Sequence, residues 1–283
     1  MLSKPIFLSK QKGSNVDMKK HIWKLLVVVL GILLLAGCGM NDNTSSKESA
    51  EKADGPVTIY VTRHGKTMFN TVHRAQGWSD TPLTKKGIDV AQDLGDGLTD
   101  VDFKAAYSSD SGRARETARI VLDSKGQEKL NAAESTKLRE VCFGSYEGDL
   151  DENMWGDVAK NLGYPSQEAM MKDFATGKVT LEMCLAEIVK LDQSGSAENY
   201  DTVKKRMQDK LKSIAKENAK NGGGNVLIVS HGMSIGAMIS DMTDKYKGQQ
   251  LENASVTKII YEDGKFTVDS IGDMSYVEAG QKK

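Results

Sequence analysis

Two histidines stand at the ends of apolar, β-branched runs. Val57-Thr58-Ile59-Tyr60-Val61-Thr62 leads into Arg63-His64-Gly65-Lys66-Thr67, and Val226-Leu227-Ile228-Val229-Ser230 leads into His231-Gly232. In open α/β sheets ligands gather beyond the carboxyl ends of strands. A glycine after each histidine permits a tight turn and a close backbone approach. Arginine adds a planar, permanently charged fork that matches phosphate oxygens. Arg63 adjoins His64, and Arg113 lies near the start of the helix expected after Phe103–Ser108, at another strand exit. Helix N-termini supply further N–H groups for anions. Singly, each of these residues reads as a surface arginine or a hydrogen-bonded histidine. Together, in this placement, they suit one phosphate-sized anion.

The elements that must position them follow from hydrophobic period. Val57–Thr62 reads as a strand. Thr84–Leu98 carries Ile88, Ala91, Leu94 and Leu98 at helical spacing. Phe103–Ser108 reads as a strand, and Ser111–Leu122 as a helix with Ala114, Ala118 and Val121 on one face. Thr136–Val141 reads as another strand. Asp149–Gln193 is Met-rich and helical, with a loop at Gly163-Tyr164-Pro165, and is expected to form a cap over about 149–195. Its acidic start, Asp149, Asp151 and Glu152, reads as a solvated helix end. Glu198–Asn221 is a polar-faced helix closed by three glycines. Asn225–Ser230 is a strand apolar on both faces, followed by a helix over Gly232–Asp241. Val256–Tyr261 and Phe266–Ile271 form a hairpin around Glu262-Asp263-Gly264. Alternating strands and helices predict an α/β class, a three-layer α/β/α sandwich.

Composition narrows the role. The 283 residues are 27% charged with a net charge of -1, so no basic excess points to nucleic acid, and phosphate chemistry must rest on local charge. Three cysteines are too few for a disulfide framework, and Cys142 and Cys184 read as part-buried thiols. The four histidines form no His-Glu-x-x-His pattern, so no metal site and no cofactor are expected.

The N-terminal region is distinct. Lys19, Lys20 and Lys24 precede an apolar run, Leu25–Leu35, which ends on Ala36-Gly37-Cys38. This resembles a bacterial lipoprotein signal peptide with Leu35-Ala36-Gly37-Cys38 as lipobox. The resemblance implies lipidation of Cys38 and anchoring on the extracytoplasmic face of the cell membrane; the rival reading is an uncleaved anchor. Residues 1–37 are then an extension plus signal peptide, with translation expected from Met18, and 38–55 a polar, flexible tether. The folded domain spans 56–283.

Four ordered blocks carry a more specific resemblance. They are Arg63-His64-Gly65-Lys66-Thr67 with Asn70 and Gln76-Gly77-Trp78-Ser79-Asp80-Thr81-Pro82-Leu83-Thr84; Ser108–Ala118 around Arg113; Leu138-Arg139-Glu140 with Phe143-Gly144 and Glu147-Gly148; and Val229-Ser230-His231-Gly232. They resemble the signatures of the histidine phosphatase superfamily, the phosphoglycerate mutase-like fold. The resemblance implies that His64 attacks phosphorus, which requires a neutral imidazole. It implies that Arg63, Arg113 and His231 hold the phosphate, with Asn70, Gln76 and Gly77 as secondary donors. Glu140 would protonate the leaving oxygen and then activate water, with Asp110 as the alternative acid. His73 is expected in a loop near the mouth.

Competing motifs fail on order and spacing. Gly232-Met233-Ser234-Ile235-Gly236 matches a nucleophile elbow, but no histidine follows His231. Cys142 would need an arginine six residues on, where Gly148 stands. Mutases of the resembling family carry basic residues after the acid, whereas here Val141-Cys142-Phe143 follows Glu140 and no arginine occurs between Arg139 and Arg206. The expected function is a metal-independent phosphomonoester hydrolase acting on a small phosphorylated substrate outside the membrane. A mutase-type phosphotransferase and a non-catalytic phosphate-binding lipoprotein are the alternatives.

Overall fold

The computed structural model describes residues 54–283. The extension and signal peptide over 1–37, the Met18 start, the lipidation site Cys38 and the tether as far as residue 53 lie outside the described residues.

The chain runs through β1 (Val57–Arg63), a single-turn α1 (Met68–Thr71), α2 (Lys85–Gly97), β2 (Phe103–Ser109), α3 (Gly112–Ser124) and β3 (Ala132–Ser135). Three cap helices follow, α4 (Asp151–Asn161), α5 (Gln167–Ala175) and α6 (Leu181–Leu191). The chain then forms α7 (Tyr200–Lys220), β4 (Gly224–Ser230), α8 (Gly232–Ile239), β5 (Val256–Glu262), β6 (Lys265–Asp273) and α9 (Ser275–Gly280). The strand order is β3-β2-β4-β1-β5-β6. The first four strands in that order are parallel, while β5 and β6 add as antiparallel neighbours. Among the described residues no helix is long and apolar enough to cross a membrane.

The two-residue period of a strand explains the layers. On β4, Val226 and Ile228 face one side with Val57, Ile59 and Val61 of β1, against α7, α8 and the cap. Leu227 and Val229 face the other side with Tyr60, against α2, α3 and Val277 of α9. Burying each such side chain stabilises by roughly 1.5–3 kcal/mol. Helix starts are set by local caps: Thr84 accepts from the Gly87 amide and Asn199 from that of Thr202. The hairpin turn is Asp263-Gly264, with φ of 50° and 78°, the left-handed pair a two-residue turn demands.

One strand differs from expectation. Pairing with β2 falls on Ala132–Ser135, and Thr136–Leu138 is a 3-10 turn, so Thr136–Val141 is not a strand. Leu138 and Val141 are fully buried, which accounts for their strand-like pattern. Their segment's backbone, however, bonds to side chains: the Leu138 carbonyl accepts from the Ser230 hydroxyl at 2.8 Å. Cys142 and Cys184 are buried free thiols, and burial, then Glu187, pushes the Cys184 thiol up to about 11.

The cap leaves and rejoins the sheet at one place. Ser145 donates its amide to Asp192 at 2.8 Å, Gln193 donates to the Ser145 hydroxyl, and Glu198 donates its amide to the Cys142 carbonyl at 2.9 Å. Burial raises the Asp192 carboxyl, but the N–H groups of Ala197, Ser145 and Ser194 outweigh it and hold the group well below the usual carboxylate range.

The N-terminus of α2 seats against the turn that follows β1. Lys66's carbonyl accepts from the Thr84 amide at 2.8 Å and hydroxyl at 3.1 Å. A Cβ on Gly87 would lie 2.0 Å from that carbonyl oxygen. Gly87→Ala is therefore expected to destabilise the protein by about 1–3 kcal/mol, measured as a lowered urea midpoint at unchanged m-value. A midpoint within error of the parent would show that the contact can relax.

Candidate active site

His64 follows β1 and is 3% exposed. Its Nδ1 lies 2.8 Å from the Gly65 carbonyl oxygen. A carbonyl can only accept, so Nδ1 carries the hydrogen and Nε2 keeps its lone pair. The chain entering Gly65 is also held: the Gly65 N–H donates to Thr117 Oγ1 at 2.9 Å and that hydroxyl donates to the Arg113 carbonyl at 2.7 Å. Burial first, then Arg113 and Arg63, drive the His64 pKa well below the ordinary histidine value, with the Gly65 bond opposing. The imidazole is thus neutral and nucleophilic at neutral pH.

His231 N-caps α8 and is fully buried, its ring centroid 5.2 Å from that of His64. Burial, Arg113 and His64 lower its pKa well below the usual range. Arg113 is 1% exposed. Its Nη1 donates to the Ser79 carbonyl at 3.0 Å and to Asp80 at 2.9 Å, and its Nη2 to the Gly77 carbonyl at 2.8 Å. Arg63 Nη1 donates to the Leu251 carbonyl at 2.7 Å.

What these residues leave unpaired is informative. Arg63 Nε, Arg113 Nε and His231 Nδ1 are three of the five buried side-chain polar atoms without a partner among the described residues. Each such atom costs roughly 1–3 kcal/mol and is rare in a folded protein. All three belong to groups that act electrostatically on His64 or touch it. A Cβ built on Gly232, next to His231, would come 3.5 Å from Arg63 Nε. Of the three residues, Arg63 lines the cavity beside His64, while Arg113 and His231 are not among its lining.

Glu140 is 7% exposed and lies across the N-terminus of α8. Its Oε1 accepts from the amides of Ser234 at 2.8 Å and Val141 at 3.0 Å, and its Oε2 from that of Met233 at 3.1 Å. No side chain of the N-cap residue caps α8, so Glu140 supplies its acceptor. The alternative acid, Asp110, is engaged elsewhere, receiving both Nε and Nη2 of Arg139 at 2.7 and 2.5 Å. That bond holds the Asp110 carboxyl below its usual value against the effect of burial.

The secondary donors divide. Asn70 lines the cavity, with its Oδ1 accepting from the Thr67 amide at 3.2 Å. Gln76 also lines it, held by Thr67 at 2.6 Å and Thr81 at 3.0 Å. Gly77 does not join them as a donor, because its N–H goes to Glu147 at 3.2 Å. Glu147, given no role by the sequence reading, organises this turn. Its carboxylate accepts four backbone N–H bonds, from Gly77, Trp78, Ser79 and Phe143. The Glu147-Gly148 block marked the residue, but its partners about 70 positions away could not be read locally.

The cavity is about 560 Å³. Arg63, His64, Glu140 and Gly232 line it beside Lys66, His73 and Arg74. The cap contributes Met154, Trp155, Met171, Phe174 and Leu181. Asp151 lines it too, contrary to its reading as a solvated helix start, and burial raises its carboxyl against the pull of His73.

The family model of the histidine phosphatase superfamily (branch 1) matches residues 59–274. The crystal structure of a phosphoglycerate mutase from Bacillus anthracis str. Sterne is similar with a TM-score of 0.77 at 46% identity, covering 82% of this chain and 99% of that one. The probable phosphoglycerate mutase GpmB of Erwinia tasmaniensis is 26% identical over 241 residues, 78% of this chain and 95% of its own length. A phosphoserine phosphatase from Entamoeba histolytica shares the fold, with a TM-score of 0.59 at 23% identity, covering 78% of this chain and 99% of that one.

Both buried histidines have folded pKa values below the unfolded value of about 6.5. The unfolded chain therefore binds more protons at mildly acid pH. The stability contributed by the neutral rings is complete above that value and is lost as pH falls. Thermal melts between about pH 7.5 and 5.5 should show a steep loss in the parent and a flatter one in His64→Gln/His231→Asn. Parallel slopes would refute buried neutral imidazoles.

Proposed function

The chain belongs to the histidine phosphatase superfamily, and from that membership we propose that it is a metal-independent phosphomonoester hydrolase working through a phosphohistidine at His64. The observation that carries this reading is a neutral His64 grouped with the buried, unpartnered Nε–H groups of Arg63 and Arg113 and the unpartnered Nδ1 of His231. In the first step the Nε2 lone pair forms the N–P bond as the P–O bond to the leaving group breaks. Glu140, as general acid, gives a proton to the departing oxygen. The hydrogen bond from Nδ1–H to Gly65 strengthens as positive charge develops on the ring. Arg63, Arg113 and His231 hold the equatorial oxygens. In the second step Glu140 takes a proton from water, whose oxygen attacks phosphorus, and the N–P bond breaks to release phosphate. The apolar cap residues favour an ester with an apolar body.

A mutase-type phosphotransferase is the second reading, favoured by the 46% identity to a structure described as a phosphoglycerate mutase. The apolar cap and the lack of an arginine between Arg139 and Arg206 favour hydrolysis. The purified protein, assayed in a metal chelator, should release phosphate from an aryl phosphate and from monophosphoglycerates without isomerising the latter. An alkali-stable, acid-labile phosphoryl label should map to His64. His64→Ala should remove both label and turnover while retaining the parent's circular dichroism. Isomerisation in place of phosphate release would establish the mutase, and full turnover by His64→Ala would end the covalent reading.

The N-terminal pattern supports a further part of this proposal: the enzyme is tethered through lipidated Cys38 on the extracytoplasmic face of the membrane and meets its substrate there. Metabolic labelling with an alkyne fatty acid should mark the protein, and Cys38→Ala should abolish the mark. An unlabelled parent would exclude lipid anchoring.

A further inference from the structure

Glu140 sits in a stretch that belongs to no helix or strand, so no ladder of backbone bonds fixes its main chain. Arg206, on α7, takes over that task. A guanidinium has five N–H bonds, and all five are engaged here. Nε and one Nη2 hydrogen go to the two oxygens of Glu198, each at 2.8 Å. Nη1 donates to the carbonyls of Lys137 at 3.0 Å and Arg139 at 2.6 Å, and Nη2 to that of Glu140 itself at 2.7 Å. Glu198 grips the other side of the acid, because its Oε2 accepts from the Cys142 amide at 3.1 Å and its own amide donates to the Cys142 carbonyl at 2.9 Å. The two side chains are 13% and 12% exposed, and neither lines the cavity.

A surface ion pair would not behave this way. Exposed pairs are worth little and are held loosely, whereas a shielded bidentate pair with every donor occupied has one geometry. The Glu140 side chain is fixed separately by the amides of α8. The acid is therefore held at both ends: its carboxylate by α8, and its backbone by Arg206 of α7 together with Trp78, whose Nε1–H also donates to the Glu140 carbonyl at 3.0 Å. Slack at either end would move the carboxyl oxygen relative to the phosphate held at His64.

We propose that the Arg206–Glu198 pair is a positioning device for Glu140, holding the proton donor within reach of the leaving oxygen without touching substrate. This rests on the assignment of Glu140 as general acid. The step it supports is proton transfer from the Glu140 carboxyl to the ester oxygen as the P–O bond breaks. Poor leaving groups need that proton, and good ones do not.

The test is a series of aryl and alkyl phosphomonoesters of graded leaving-group acidity. Values of kcat/KM would be measured for the parent, Glu140→Gln, Arg206→Lys and Glu198→Gln, with circular dichroism and thermal melts confirming that each variant is folded. Glu140→Gln should steepen the dependence on leaving-group acidity. Arg206→Lys, which keeps the charge but loses the fork, should reproduce much of that steepening: a loss of roughly 100-fold on the poorest leaving group, the scale of an ångström-sized misplacement, and little on the best. Glu198→Gln should follow in the same direction. A uniform loss across the series in both Arg206→Lys and Glu198→Gln, while Glu140→Gln steepens it, would overturn the positioning role and leave only a structural one. A Glu140→Gln series parallel to the parent would instead overturn the acid assignment, and the proposal with it.

Discussion

Everything at the site depends on a single hydrogen bond, 2.8 Å from His64 Nδ1–H to the neighbouring carbonyl of Gly65. It decides which ring nitrogen is free. It works only if the backbone around Gly65 keeps its conformation, and the surrounding fold holds the peptide units on either side from several directions. The His64 amide donates to the Ser230 carbonyl at 3.0 Å, which ties β1 to β4 one residue before the second histidine. The His64 carbonyl accepts from Asn253 at 2.9 Å. Thr117 holds the Gly65 amide, and α2 closes onto Lys66. Ala254, which donates its amide to the Arg63 carbonyl, sits at a φ of 62°, a left-handed conformation that costs a residue with a side chain on the order of 1–3 kcal/mol.

The second constraint is charge. Two guanidinium groups press on two imidazoles, and burial deepens the effect. A buried cation is costly unless its hydrogens are satisfied. Arg113 meets that condition at its two Nη groups through Asp80 and the carbonyls of the turn at 76–79, while its Nε has no partner among the described residues. That turn is stable as an acceptor array because Glu147 gathers its amides from the other side. The peptide units between Gly77 and Ser79 thus lie between a cation and an anion, with dipoles aligned to both. The same pattern recurs at Glu140, whose carboxylate faces the amides of α8 and whose carbonyl faces Arg206.

Much of the fold was legible because its signals are local. The apolar run of β4, the Asp263-Gly264 turn and the threonine and asparagine caps each announce themselves within a few residues. The histidines and arginines could be grouped because strand ends in a parallel sheet converge on one edge. What could not be read depends on partners far along the chain. Thr136–Val141 has strand-like composition, yet its carbonyls are engaged by the side chains of Ser230 and Arg206. Gly77 was expected to offer its amide to a ligand, but Glu147 takes it. Asp151 was expected in solvent, but it lines the cavity. Helical period shows that a residue has neighbours three and four positions away, and says nothing about how the helix docks.

The stitched neck of the cap has a consequence for how such an enzyme can diversify. Residues 145 and 193 are bonded to one another, as are 142 and 198, so the intervening helices form a closed excursion whose ends meet. A loop whose ends are already joined can change length cheaply, since doubling it adds only about 0.6 kcal/mol of closure entropy. The paired histidines and arginines lie on the sheet side of the neck, and the cap side chains that line the cavity lie beyond it. Selection, or an engineer, can therefore replace the excursion as a cassette, changing what the cavity admits while the histidines and arginines on the sheet keep their anchors.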